Sequence, residues 1–170
     1  PEEQLEILME AIRLTIPRFD LNRIASFRYS AEEIMIVNLI ARTYAKSGNR
    51  KKSLTISRRL LRYIENNNQT LDHYPRQFCL VAHNHAIDLT IEEQYNEAIL
   101  LSERGRKICV EEGEYQFLPG FLAIMAECWY FLGNQSKSAE LYNQAYVLYK
   151  SFGDNLNRAA MQREMKEHLG

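Results

Sequence analysis

The chain has 170 residues, 46% hydrophobic and 25% charged, with 21 basic and 22 acidic side chains and a net charge of −1. That is enough chain for one domain with a real core, and it lacks the net basic face that an autonomous nucleic-acid binder needs. No apolar run approaches the ~18 residues a membrane span requires, and no charged-then-apolar leader opens the chain, so the expected location is cytoplasmic. The odd set of Cys79, Cys109 and Cys128 reads as reduced, buried thiols. The first residue is Pro1, and a further domain is expected upstream of it.

The periodicity predicts a first helix over 2–16, with Leu5, Leu8, Met9, Ile12 and Ile16 on one stripe and acids in its first turn. Pro17 ends it. A short helix over 19–27 follows, with Asp20 as cap and Leu21, Ile24 and Ala25 as apolar residues that lid what comes next. Ser30-x-x-Glu33 is a capping box that opens the next helix, and Gly48 closes it. Val37, Ile40, Ala41 and Tyr44 share one face of that helix. On the helix after it, Ser53, Ser57 and Leu60 repeat the spacing. The polar stretch 66–73 is a loop, and Tyr74-Pro75 starts another helix. Ala82, His85, Ala86 and Leu89 then repeat the first pattern, Ala98, Ser102 and Gly105 the second, and Glu112-Gly113-Glu114 closes the pair.

The clearest copy is the third, whose first helix begins near Pro119. Leu122, Met125, Ala126 and Trp129 fall at i, i+3, i+4 and i+7; Leu132-Gly133-Asn134 breaks the helix; Ser138, Tyr142 and Ala145 follow. Asp154 caps a final helix to about His168. A bulky residue, a small one, an aromatic, a turn, then small, aromatic, small resembles the tetratricopeptide pattern. The anchoring alanines lie 45 and 40 residues apart (41 to 86, 86 to 126), longer than the usual ~34 of that repeat. The expectation is an all-α, tetratricopeptide-like right-handed superhelix of seven or eight helices and no strands. It forms one domain over 1–170, with N-terminal helices in 1–29, helix pairs at 30–66, 75–113 and 116–152, and a C-terminal capping helix at 154–169.

At 100° per residue, a second face of each first helix lies roughly 120° from the signature face. It carries Met35, Asn38, Arg42 and Ala45, then Leu80, His83, Ile87 and Thr90, then Gly120, Ala123, Glu127 and Tyr130. Likeness to the repeat implies that this face lines a concave groove. Arg42 is then expected to attract a ligand carboxylate and Glu127 an amine.

Other chemistry is set aside on spacing. His83 and His85, two apart on a helix, point about 160° from each other and cannot share a metal, and His85 falls on the signature face as a packed histidine. No metal, cofactor or catalytic motif is present: there is no Cys-x-x-Cys, His-Glu-x-x-His or glycine-rich phosphate loop. The run Asn49 to Tyr63 carries Arg50, Lys51, Lys52, Arg58, Arg59 and Arg62. It suits either phosphates or an acidic partner, or the solvated outer face of a second helix, and the latter is preferred.

Leu14-Thr15-Ile16-Pro17-Arg18-Phe19-Asp20, then Ser30-Ala31-Glu32-Glu33-Ile34, then Asn38-Leu39-Ile40-Ala41-Arg42-Thr43-Tyr44 resemble the C-terminal sensor region of bacterial Xre-type helix-turn-helix regulators, the Rgg-like and PlcR-like peptide receptors. The resemblance implies no enzyme, a short signalling peptide bound in the groove, a homodimer, and contact with DNA only through an N-terminal domain that this chain lacks. It implies that Asn38, and less closely Asn84, hold the peptide backbone, beside Arg42, His83, Ile87, Ala123, Glu127 and Tyr130. Peptide binding is expected to favour one superhelical curvature, and the last helix with the third pair to form the dimer seam. The alternative is a generic tetratricopeptide adaptor with no link to DNA.

Overall fold

The computed structural model describes residues 2–66 and 74–170. Among them are eight α-helices, two short 3-10 segments and no strand. The expected loop over 66–73 lies outside the described residues except for Asn66, the last residue of its helix. The chain divides into two compact units, Pro1–Asp88 and Leu89–Gly170.

In the first unit, α1 (Glu2–Thr15) packs against α2 (Ala31–Lys46), and α2 against α3 (Arg50–Asn66). Both halves of the expected capping box form: the Ser30 hydroxyl accepts from the Glu33 N–H, and the Glu33 carboxylate accepts from the Ser30 N–H at 2.7 Å. The short segment at Leu21–Ser26 is 3-10 rather than α, capped by Asp20 as expected, and it rests on α3. Tyr29 and Tyr63 fasten that seam, the Tyr63 hydroxyl accepting from the Tyr29 N–H at 3.1 Å. Helix α4 (Pro75–Ile91) starts in this unit at the expected proline.

In the second unit, α5 (Tyr95–Glu111), α6 (Leu118–Phe131), α7 (Gln135–Ser151) and α8 (Asn155–Leu169) each pack against the next in sequence. Leu122, Met125, Ala126, Leu141, Tyr142, Ala145 and Met161 form its core. The three anchoring alanines, Ala41, Ala86 and Ala126, are only 1%, 0% and 0% exposed. Their burial fits the small side chains that close helix contacts call for.

Four helix ends share one turn. The N–H of Asn49, Gln94, Asn134 and Asp154 donates to the carbonyl five residues earlier, at 2.8–2.9 Å. That closure puts the preceding residue at positive φ. Gly48, Gly133 and Gly153 fill the position in three turns, and Glu93, at φ 59°, in the other. A side chain there costs roughly 1 kcal/mol, so Glu93→Gly should raise stability by about that amount in urea denaturation. An unchanged midpoint would mean that Glu93 gains compensating contacts.

Candidate functional site

The second face of the first helices holds a polar row whose centre is a residue the spacing did not single out. Asp88, on α4 and 2% exposed, accepts from the Ser53 hydroxyl at 2.6 Å. Its other oxygen meets Arg42 Nη1 and Arg50 Nε, each at 3.6 Å. Two guanidiniums and a hydroxyl surround this one buried carboxylate. Both arginines remain more than a quarter exposed. Asp88 is the only acid in α4, and that lone carboxylate was the signal available in the sequence.

Asn38, expected to hold a peptide backbone, is only 2% exposed, and its Oδ1 accepts from Asn84 Nδ2 at 3.4 Å. Asn84, half-buried, is the accessible member of the pair. His83 stands half-buried near Arg42, and burial first, then that positive charge, push its pKa down to about 4. His85 is 4% exposed, a packed histidine as expected, and burial with the nearby Arg58 likewise lowers it to about 4. Ile87 is half-buried on the same helix. The structure therefore gathers Asn38, Arg42, His83 and Asn84 around α2 and α4, with Asp88 and Arg50 added. Replacing Asp88 by Asn strands two guanidiniums against a neutral amide. Because both arginines are partly solvated, the expected loss is about 2 kcal/mol rather than the 3–5 of a fully buried pair. Urea unfolding of D88N measures it, and a midpoint matching the parent would remove Asp88 from the account.

In the second unit, Ala123 packs against the core, and Glu127 and Tyr130 both face the last helix. Tyr130 stacks on His168 with centroids 4.1 Å apart, and the Tyr142 hydroxyl meets His168 Nδ1 at 2.7 Å. Burial, then the charge of Glu164, raise the Glu127 carboxyl. Arg42 thus already has a carboxylate within its own unit, while Glu127 faces a like charge. Glu164 and His168 were not foreseen. They arrive from a helix some forty residues downstream, and no local spacing announces them.

Of the basic run, Arg50 is drawn to Asp88, Lys52 lies 4.3 Å over the Tyr44 ring, and Arg59 donates to the Leu21 carbonyl at 2.9 Å. Lys137 sits over Trp129 in the same way, eight residues on, at 4.6 Å. Among the described residues no group of three His, Cys, Asp or Glu side chains is placed to hold a metal, and no helix is long and apolar enough to cross a membrane.

Helices packed in sequence with small residues buried along them define an all-α, tetratricopeptide-like fold. The chain belongs to the RNPP family: it matches the RNPP family C-terminal domain over residues 8–168. Its fold is that of the crystal structure of Bacillus thuringiensis PlcR in complex with the peptide PapR7 and DNA, with a TM-score of 0.70 at 16% identity. That likeness covers 93% of this chain and 60% of the PlcR chain, so this chain spans about three fifths of that protein's length. The sequence resemblance to PlcR-like regulators is borne out at the level of family and fold. A search of the curated proteins returns no match.

Proposed function

We propose that this chain is the peptide-sensing and dimerisation domain of a cytoplasmic helix-turn-helix transcription regulator, a binding module without catalytic activity. Its DNA-binding domain lies outside the chain. The observation that carries the reading is membership of the RNPP family over 8–168, joined to a fold shared with a protein crystallised with a peptide and DNA. The polar row of the first unit supports it. Asn84 offers an amide for a peptide backbone, Ile87 an apolar contact, and the partly exposed Arg42 a guanidinium for a carboxylate. A bound peptide shifts the population between two arrangements of the dimer, to the extent that it binds one better than the other.

Selection of a random heptapeptide library on the immobilised domain tests this, followed by calorimetry of the best sequence. Arg42→Ala should weaken that peptide by about tenfold, the scale of one charge-assisted hydrogen bond. No enrichment, or equal affinity for Arg42→Ala and Glu127→Ala, contradicts the reading. The dimer rests on apolar surface in the second unit: Val110, Val147 and Leu156 are 51%, 56% and 79% exposed. A groove of about 480 Å³ runs past Val110, Leu118, Leu122 and Val147. Sedimentation should give twice the 20.0 kDa chain mass, and a monomer at micromolar concentration counts against the seam.

A further inference from the structure

We propose that the first unit carries a second binding site, for a small molecule bearing a di- or triphosphate group, in the cavity between the Leu21–Ser26 segment and α3. The cavity measures about 490 Å³, within the ~300–1,000 Å³ of small-molecule sites. Arg23, Arg59 and Arg62 line it, and no acidic side chain does among the described residues. Arg59 is held in place, Nη1 donating to the Leu21 carbonyl at 2.9 Å and lying 3.5 Å from Asn22 Oδ1. Its remaining N–H groups have no hydrogen-bond partner among the described residues. Arg23 and Arg62 are exposed, and their guanidiniums make no hydrogen bond or ion pair among the described residues. The wall is rigid: Tyr63 is 7% exposed, its ring meeting Tyr29 edge-on at 4.9 Å. Asn22 and Ser26 add neutral donors.

Three guanidiniums lining one cavity with no counter-charge among the described residues repel one another, and an anion of two or more charges relieves that repulsion better than one carboxylate does. The planar fork of arginine also matches phosphate oxygens in pairs. A concave site on a chain of net charge −1 does not offer the extended basic stripe that a nucleic-acid backbone follows. The basic run of α3 is thereby divided by task, Arg50 turning to Asp88 and Arg59 with Arg62 to this cavity.

Calorimetry with pyrophosphate, ATP and adenosine tests the site on the chain and on the double variant Arg23→Gln/Arg62→Gln. Its far-UV circular dichroism melt should match the parent, because both side chains are exposed and have no hydrogen bond or ion pair among the described residues. Pyrophosphate and ATP should bind, adenosine should not, and the double variant should lose at least about tenfold for both anions. Equal affinity for pyrophosphate and ATP supports recognition of the phosphates alone; tighter ATP supports an added nucleoside contact. Absence of binding by both anions, undiminished binding in a folded double variant, or tighter binding of duplex DNA with the same arginine dependence overturns the proposal.

Discussion

Gly105→Ala should destabilise the protein by about 2 kcal/mol, a fall in Tm of roughly 4–8 °C for a chain of this size. A methyl at Gly105 would sit 2.3 Å from Phe121 Cζ and 2.6 and 2.7 Å from the Cε atoms. Phe121 is fully buried, so the ring cannot turn outward to make room. The better helix propensity of alanine, worth up to about 1 kcal/mol, offsets only part of the overpacking. The strain is local to one pair, which gives a second check. Phe121→Leu removes the ring edge and should itself cost roughly 1 kcal/mol, yet the double variant should lose clearly less than the sum of the two. Additive losses would show that Gly105 matters for some reason other than this contact.

Acid should unfold the first unit through its two imidazoles. His83 and His85 have folded pKa values near 4, against about 6.5 in the unfolded chain. Between those values the unfolded chain binds protons that the native one does not, so stability rises with pH across the window. The contribution is fully present above about pH 6.5 and is lost as the pH falls to 4, at most roughly 3 kcal/mol per histidine. His85 has a further reason to resist charging, since its Nδ1 has no hydrogen-bond partner among the described residues. In the second unit Glu127 and Glu164 act in the opposite sense. Burial raises both carboxyls, with Glu164 adding to the first and Glu167 to the second. Their protonation on acidification favours the native state. Urea unfolding at pH 7 and pH 4.5 should therefore show a net loss of several kcal/mol, with a shallower slope in His85→Gln. Equal stability at the two pH values would contradict the burial assigned to these histidines.

The helix ends were legible wherever the chemistry is local. Ser30 with Glu33, Asp20, Asp154, Gly48 and Gly133 each act within three or four residues, and each sits where the spacing put it. The turn at Glu93 was hidden because its left-handed residue is not a glycine. The candidate site was legible by face and not by neighbour. Counting 100° per residue put Asn38 and Arg42 on one side of α2, but it cannot say which distant helix covers them. Asn84 closes over the first and Asp88 draws in the second. The same limit hid His168 from Tyr130, and Glu164 from Glu127. Membership of the RNPP family is shown by the match over residues 8–168, which does not depend on these contacts.

The most direct test follows the alanine methyls by NMR while a soluble paramagnetic agent is added. The methyls of Ala41, Ala86 and Ala126, 1%, 0% and 0% exposed, should keep their intensity while those of exposed Ala25 and Ala159 broaden away. Loss of the three signals together with the exposed pair would contradict the packing of helices in pairs, and with it the binding surface built on that packing.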